Sequence, residues 1–308
     1  MNRNAKNSGR KRTARSEENI DAVQAALEQN PKGITCRGNG LNLSRATFNR
    51  ICRIDLRWHP YRMVRRHQLK DGDFERRTAF CEWFLQKHQN PNFIGNFVIG
   101  DEAGFAMNGR VSNQNIRMYA PKGQAPDFPY DVNECREKVT VWMGLCGNGR
   151  AVGPFFFEGN VNKEKYLELL NESVFPELLN IFGNQFENGY FRRLWWAQDG
   201  APPHRSAEIR QWLSEFFHDH VVALNHTIEW PARSPDLTPC DFFLWGYLKS
   251  KVFQTPPDSI DDLKNRIVAE ADRVKQNRNL IRRAVKDMVP RAHVCIDRDG
   301  SHVEGKLR

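Results

Sequence analysis

The sequence predicts an α/β protein with a mixed β-sheet flanked by helices and a small α-helical module at the N-terminus. Residues 139–143 (VTVWM) favour a strand, and a second apolar run at 152–157 follows Gly147 and Gly149, which is the pattern of a hairpin. Strand and helix patterns then alternate along the chain, which favours a mixed sheet covered by helices. At 308 residues, the chain is long enough for one large domain and a smaller one.

Positive charge is concentrated in the N-terminal quarter of the chain. The net charge is +9, and residues 1–80 contain 18 Lys and Arg against 8 Asp and Glu, whereas the rest contains 28 against 29. This asymmetry is the electrostatic footprint of a module that binds phosphate groups. A disordered basic tail is the alternative explanation.

Composition argues against a membrane protein and against a zinc protein. No stretch of about 18 apolar residues occurs, and the basic, polar start lacks an apolar signal region, so we expect a soluble, non-secreted protein without a membrane partner. The seven cysteines are scattered and form no CxxC pair. This favours reduced thiols in an intracellular compartment.

Residues 1–15 are predicted to be a basic, flexible segment. Its centre is the tetrad GRKR at 9–12, with the basic side chains Arg10, Lys11 and Arg12. A short basic element of this kind can contact DNA, and it equally suits a nuclear localisation signal. Both interpretations stay open at this point.

A small helix-turn-helix-like module is predicted over residues 16–60. Ser16 suits the N-cap of a first helix, and Ser44 suits the N-cap of a second helix over 45–54, in which Phe48 faces inward. A recognition helix in the major groove of DNA needs an outward polar face. The outward side chains here are Arg45, Thr47, Asn49 and Arg50. An ordinary surface helix is the alternative interpretation.

Residues 61–92 are predicted to be a linker region, and residues 93–300 the main domain. The linker begins with a basic connector and continues with a helix over 74–86 that has a stripe of aromatic side chains along one face. These aromatic side chains are expected to pack in a core.

Periodicity predicts the remaining elements of the main domain. Further short strands are expected over 104–107 and 117–119, and Asn162 suits the N-cap of a long helix that extends to Leu179, with Pro176 as a kink. Two amphipathic helices follow over 260–274 and 280–288, and Pro290 is expected to stop the second. Their outward basic side chains suit either DNA contact or a solvated face: Lys264, Arg266, Arg282, Arg283 and Lys286.

Three carboxylates stand at the ends of apolar segments in this domain. The run 97–100 leads into Asp101 and the run 194–197 leads toward Asp199, as expected of buried strands that deliver an acid to a sheet edge, and Asp241 opens an apolar helix. Three such acids can hold two divalent cations, which clamp the attacking and leaving oxygens of a phosphoryl displacement. Mg²⁺ prefers oxygen ligands, which fits the lack of His and Cys clusters nearby.

The segments around these acids resemble the three catalytic blocks of mariner-type transposases. The resembling stretches are VIGDEAGF (98–105), WAQDGAPPH (196–204) and WPARSPDLTPCDFFLWGYLKS (230–250), and the similarity extends over roughly residues 10–300. The resemblance implies a ribonuclease-H-like catalytic domain over 93–300. It also implies that the three acids of the DDE/D pattern are Asp101, Asp199 and Asp241.

The activity that this resemblance implies is cut-and-paste DNA transposition. In this interpretation Asp101 bridges two Mg²⁺ or Mn²⁺ ions, Asp199 and Asp241 each hold one, and an activated water hydrolyses a phosphodiester at the element end. The freed 3′-hydroxyl then attacks target DNA by the same displacement. The implied partners are double-stranded DNA, as terminal inverted repeats and as target DNA, and a second copy in a homodimer. The implied location is the nucleus.

Three features depart from the family pattern. The 41 residues between Asp199 and Asp241 exceed the spacing in most of the family, which leaves the subgroup open. The similarity starts at the linker between two helix-turn-helix modules, so the first module is expected to be missing. The segment that should form the middle helix of the remaining module contains Gly33, Gly38 and Gly40, each costing a helix up to about 1 kcal/mol.

Two alternative functions stay open. One is a catalytically idle, host-captured or decaying DNA-binding derivative, and the other is an unspecific nuclease of the same superfamily.

Four polar residues beside the three acids have competing interpretations. Asp236 competes for the third position of the triad, but the family pattern disfavours it, and it is expected to cap a turn beside a proline. Glu102 should point to the opposite strand face from its acidic neighbour and is not expected to be a ligand. His204 suits either contact with DNA or a structural hydrogen bond. Gln198 is expected to pack or to bond the backbone.

Overall fold

The computed structural model describes residues 14–29, 41–62, 68–107, 117–121 and 137–303, without the side chains of 60–62 and 117–121. The chain divides into two compact units, Met1–Arg65 with Asn113–Asn133, and Arg66–Ser112 with Glu134–Arg308. The basic residues predicted at Arg10, Lys11 and Arg12, and the glycines at 33, 38 and 40, lie outside the described residues. Within the described ranges, no helix is long and apolar enough to cross a bilayer.

The first unit begins with two helices whose N-caps agree with the sequence prediction. Helix α1 (Glu17–Gln29) follows Ser16, and helix α2 (Arg45–Arg50) follows Ser44; each serine hydroxyl accepts a backbone N–H of the first turn, at 3.4 and 3.1 Å. A wider helical turn, Ile51–Asp55, continues α2. The core of this unit is formed by Val23, Leu27, Phe48, Ile51 and Cys52.

A two-stranded antiparallel sheet completes the described part of the first unit. Strand β1 (Trp58–Arg62) pairs with strand β3 (Arg117–Pro121). The sequence pattern predicts only a connector after Trp58 and places 117–119 in the main domain. The strand expected over 117–119 is present as β3, but it pairs with residues 58–62, which the sequence does not predict to be a strand. A pairing between strands so far apart in the chain leaves no local signal.

The second unit is built on a five-stranded mixed sheet, as predicted. The strands are β2 (Phe97–Ala106), β4 (Lys138–Cys146), β5 (Ala151–Phe157), β8 (Trp195–Ala197) and β9 (Val221–Val222), in the order β5-β4-β2-β8-β9. Strand β4 is antiparallel to β2 and β5, and β2, β8 and β9 are parallel. Residues 104–107, which the sequence suggests are a separate strand, mostly extend β2. A short hairpin, β6 (Phe186–Glu187) and β7 (Tyr190–Phe191), stands apart.

Helices cover both faces of this sheet. One face carries α3 (Asp73–His88), α7 (Trp245–Val252), α8 (Ile260–Gln276), α9 (Arg278–Lys286) and α10 (Met288–Asp297). The other carries α4 (Lys163–Leu169), α5 (Phe175–Phe182) and α6 (Ala207–Phe217). Along β2, Phe97 and Ile99 pack on the face that carries α3 and α7, and Val98 packs on the face that carries α4, α5 and α6. The alternation of strand side chains therefore decides which functional residues meet which helices.

The long helix predicted from Asn162 is present and contains the irregularity expected near Pro176. The Asn162 side chain accepts the Lys165 N–H at 2.9 Å and caps α4. A wider helical turn, Leu170–Val174, joins α4 to α5. Because proline has no N–H, the carbonyl four residues before Pro176 loses its usual donor, and the wider turn absorbs the change.

The C-terminal helices differ from the prediction at Pro290. Helix α9 ends at Lys286, but Pro290 does not stop helical structure, because it lies in the first turn of α10. An N–H is not needed for an intrahelical bond in the first turn of a helix, so proline is tolerated there. The helix predicted over 74–86 is α3, and it packs in the core of the second unit.

Candidate active site

The three predicted acids line one cleft of about 350 Å³ at the carboxyl ends of the parallel strands. Asp101 lies on β2, Asp199 follows β8 by two residues, and Asp241 lies in the helical turn that leads into α7. In open α/β sheets, the crevice outside the carboxyl ends of the strands is the usual place for a ligand. The fold thus brings together carboxylates from three separate segments.

Asp101 is held on the α7 face of the sheet by two hydrogen bonds. The indole Nε1 of Trp245 donates to its Oδ2 at 2.7 Å, and the backbone N–H of Glu102 donates to its Oδ1 at 2.8 Å. Burial raises the pKa of Asp101 well above its usual range, and the charges of Asp241, Glu102 and Asp199 raise it further. The carboxylates of this cleft therefore repel one another when they are ionised.

Asp199 is held from the other side of the cleft. Its Oδ1 accepts the backbone N–H of Ala201 at 3.0 Å and lies 2.9 Å from Nδ1 of His204. Burial raises the pKa of Asp199, but the hydrogen bond and the charge of His204 outweigh this, so the pKa lies below its usual value. Asp199 is thus an ionised carboxylate whose side chain is 49% exposed.

His204 bridges two carboxylates beneath the cleft. Its Nε2 lies 3.1 Å from Oε1 of Glu102, its Nδ1 contacts Asp199, and its ring packs on Tyr166 with centroids 4.3 Å apart. Burial lowers the pKa of His204, but Glu102 and Asp199 raise it more, to about 10. The side chain is only 2% exposed and both ring nitrogens are engaged, so the geometry favours a structural role over contact with DNA.

The residues beside His204 follow the strand alternation. Glu102 points to the opposite face of β2 from Asp101, toward His204, and it does not line the cleft. Gln198 is buried, and its Oε1 accepts from Tyr166 Oη at 2.9 Å and from Trp196 Nε1 at 3.0 Å. Gln198 therefore packs in the interior, which is one of the two roles expected for it, and its Oε1 bonds side chains instead of the backbone.

Replacing His204 with glutamine is expected to reduce metal-dependent activity and apparent metal affinity by about 10- to 100-fold, as for other residues that orient a ligand. A protonated His204 attracts the carboxylates of both Asp199 and Glu102, whereas the neutral glutamine has no charge with which to hold them. The measurement is activity against Mg²⁺ and Mn²⁺ concentration, with His293→Gln, an exposed histidine of α10, as control. Unchanged metal dependence in His204→Gln would contradict this role.

Helix α3 anchors the loop that leads to Asp241. Arg77 forms a bidentate ion pair with Asp236 at 2.8 and 2.7 Å, and both side chains are buried. The same guanidinium donates to Ser234 Oγ and to the Gly300 carbonyl, each at 2.7 Å. Burial raises the pKa of Asp236, but His302 and Arg77 hold it well below its usual range. Asp236 is therefore an ion-pair partner that does not line the cleft.

A second ion pair lies one turn earlier on α3. Arg233, which lines the cleft, donates to both carboxylate oxygens of Asp73 at 2.5 Å. Asp73 and Arg77 share the buried stripe of α3 with Phe80 and Phe84. Two charged residues at positions on the apolar face of a helix are the sequence signal for a buried network of ion pairs. The aromatic stripe of α3 alone does not reveal this network.

Replacing Asp73 with asparagine is expected to lower the free energy of unfolding by about 1–2 kcal/mol at pH 7, because the Arg233 bonds are lost. Those bonds lower the Asp73 pKa from 3.8 to about 2, so their stabilisation is present above pH 4 and is lost as the pH falls through 2. Chemical denaturation across this range, with exposed Asp71→Asn as control, checks the prediction. An equal effect of Asp73→Asn at both ends of the range would contradict it.

The other predicted contact residues stay on surfaces. On α2, Arg45 and Arg50 are exposed, and Thr47 and Asn49 are half-buried, so the predicted outward face is present. On α8, Arg266 pairs with Asp262 at 2.8 Å, and on α9 Arg282 donates to the Asn148 carbonyl at 3.0 Å. The residues of α8 and α9 do not line the acidic cleft.

The donor set of the cleft suits a hard divalent cation. Within the described ranges, no three His, Cys, Asp or Glu side chains already form a cluster that could hold a metal ion. The cleft nevertheless offers carboxylate oxygens from Asp101, Asp199 and Asp241, whose mutual repulsion a cation would relieve. The residues present therefore fit Mg²⁺ or Mn²⁺.

Comparisons with known proteins agree with this geometry. Residues 96–264 match the family of DDE superfamily endonucleases. The Mariner Mos1 transposase of Drosophila mauritiana is 24% identical over 251 residues, which are 80% of this chain and 66% of the relative, so the chain spans just under two thirds of that relative.

Solved structures of the Mos1 transposase share the fold. A paired-end complex with the left transposon end aligns with a TM-score of 0.60 and 21% identity, over 97% of this chain and 83% of that chain. The Mos1 catalytic domain with Raltegravir and Mn aligns with a TM-score of 0.56 and 18% identity, over 77% of this chain and 98% of that chain. The second unit thus has the ribonuclease-H-like fold that the sequence predicts.

Proposed function

Because the chain belongs to the DDE superfamily of endonucleases, we propose that it is a mariner-type cut-and-paste DNA transposase. The observation that carries this proposal is that Asp101, Asp199 and Asp241, from three separate segments, line one cleft. All three lie within the matched residues 96–264. The similarity to the Mos1 transposase supports DNA as the substrate.

In the proposed reaction Asp101, Asp199 and Asp241 would hold two Mg²⁺ or Mn²⁺ ions. When bound, such ions activate a water and stabilise the charge of the phosphoryl transition state. Trp245 and the Glu102 N–H fix the two oxygens of Asp101. His204 and Ala201 both contact Oδ1 of Asp199, which leaves Oδ2 without a hydrogen-bond partner in the described part of the chain.

The substrate is proposed to be double-stranded DNA that carries the terminal inverted repeats of the element, and target DNA accepts the freed end. Arg205, exposed at the mouth of the cleft, can contact a phosphate of that DNA. A homodimer that joins two ends, and a nuclear location, complete the proposal. The known Mos1 structures include a paired-end complex, which supports the pairing of two ends.

The alternative of an idle DNA-binding derivative has less support. Loss of an acid would favour it, but all three acids are present and line one cleft. The bonds that orient Asp101 and Asp199 are also in place. An unspecific nuclease of the same superfamily would share this cleft, so the two active candidates differ only in their dependence on DNA sequence.

The test is cleavage of a labelled duplex that carries the end of the element, with a scrambled duplex of equal length for comparison. We expect Mg²⁺- or Mn²⁺-dependent cleavage at the repeat boundary that Asp241→Asn abolishes. Asp272→Asn, an exposed acid on α8, should leave it unchanged. Equal cleavage of both duplexes would indicate an unspecific nuclease, and binding without cleavage by the wild-type chain would indicate an idle derivative.

A further inference from the structure

A second cavity lies at the edge of the sheet opposite the three acids. It measures about 410 Å³ and is lined by the end of α3, the loop that follows, and residues at the start of β8. Trp195 is the first residue of β8, whereas Asp199 lies beyond its other end. At about 3.3 Å per strand residue, roughly 13 Å separate the two positions. The cavity is therefore distinct from the acidic cleft.

The floor of this cavity is a rigid aromatic platform. The half-buried ring of Trp195 packs against Trp83 and Phe93, with centroids 5.2 and 5.6 Å apart, and against His220 at 4.6 Å. Phe93 is buried in the core. Because its neighbours fix the Trp195 ring, a flat ligand could pack on it without first ordering the side chain.

The rim of the cavity is basic. Lys87, Arg192 and Arg193 are exposed around it, and Lys87 Nζ lies 5.5 Å from the centroid of the Trp195 ring. Arg192 pairs with Glu187 at 2.5 Å. Lys87 and Arg193 form no ion pair with any residue that the structure describes. Two basic side chains without an ion-pair partner in the described ranges therefore line a cavity with an aromatic floor.

We propose that this cavity binds a single-stranded segment of DNA. An unpaired base would stack on Trp195, and the flanking phosphates would contact Lys87 and Arg193. Aromatic platforms with basic rims are the general means by which proteins bind single strands without reading their sequence. The bases of an intact duplex are stacked inside it, so only an unpaired base can reach the ring. The inference rests on the proposed function only in taking DNA as the ligand.

The experiment is a fluorescence-anisotropy titration of the full chain with a labelled oligothymidylate, without divalent metal. The double variant Lys87→Ala/Arg193→Ala is expected to bind about tenfold more weakly at moderate salt. The slope of log affinity against log salt should fall by about 1.4, or 0.7 for each lost phosphate contact. Arg150→Ala, which removes an exposed arginine just before β5, should bind like wild type. Equal affinity and slope in the double variant would overturn the proposal.

A second measurement tests the aromatic floor directly. An oligonucleotide containing 5-iodouracil should form a photochemical crosslink at Trp195, and Trp195→Phe, which keeps a ring in the platform, should weaken oligothymidylate binding less than Trp195→Leu. Crosslinks only at other segments would also overturn the proposal. Asp241→Asn should retain full oligothymidylate binding. If the wild-type chain cleaves the duplex but the cavity variants bind oligothymidylate as wild type does, this site alone is refuted. If the cavity variants weaken oligothymidylate binding but the wild-type chain does not cleave the duplex, only the proposed function is refuted.

Discussion

Replacing Asp101 with asparagine is expected to lower the rate of metal-dependent DNA cleavage by roughly 10³-fold or more. The variant removes one of the three carboxylates that would hold the metal ions, and such ions supply several kcal/mol of transition-state stabilisation. Trp245 and the Glu102 N–H orient this side chain in the wild-type protein. The measurement is single-turnover cleavage of the end-bearing duplex at saturating Mn²⁺.

A stability measurement separates this effect from simple unfolding. Without divalent metal, Asp101→Asn is expected to be at least as stable as wild type, because it removes a buried charge beside Asp241, Glu102 and Asp199. Thermal unfolding with and without Mn²⁺ should show that the ion stabilises wild type more than the variant. A variant that loses activity and unfolds at a much lower temperature without metal would indicate a structural role instead.

Replacing Arg77 with methionine is expected to lower the free energy of unfolding by about 3–5 kcal/mol, the usual effect of breaking a buried ion pair. The Asp236 carboxylate would stay buried without its bidentate partner, and the Ser234 and Gly300 oxygens would lose their donor. Urea denaturation checks the value. Because the Asp236 loop leads to Asp241, the apparent affinity for Mn²⁺ should fall as well.

The double variant Arg77→Met/Asp236→Leu provides the control. Well-packed apolar replacements of a buried pair are often close to neutral, so the double variant should be less destabilised than the sum of the two single variants. Exposed Arg76→Met, next to Arg77 on α3, should change stability by less than about 0.5 kcal/mol. Additive losses in the double variant would show that the two side chains do not act as a pair.

The positions of the three acids could be predicted because each follows a local pattern. Asp101 and Asp199 come after apolar runs whose burial fixes the strands, and Asp241 opens an apolar helix. The alternation of strand side chains likewise places Glu102 away from the cleft. Short-range periodicity therefore carries most of the information about the sheet and about the residues at its edge.

The partners of the buried charges that support the cleft could not be predicted, because they are distant in the chain. Arg77 contacts Asp236 and Gly300, which are 159 and 223 residues away. Periodicity shows that Arg77 lies on the buried stripe of α3, but it does not identify the residue that balances its charge. The β1–β3 pairing and the basic rim around Trp195 escape prediction for the same reason.

The contact between Arg77 and Gly300 also sets an order of events during synthesis. The Gly300 carbonyl, which accepts from Arg77, leaves the ribosome 223 residues after the Arg77 side chain. Domains tend to fold as their residues emerge, so the sheet and its three acids can assemble while the loop before Asp241 still lacks its full set of bonds. Chains interrupted before residue 300 would carry all three acids but would lack the Gly300 contact of Arg77, the residue that holds the loop before Asp241.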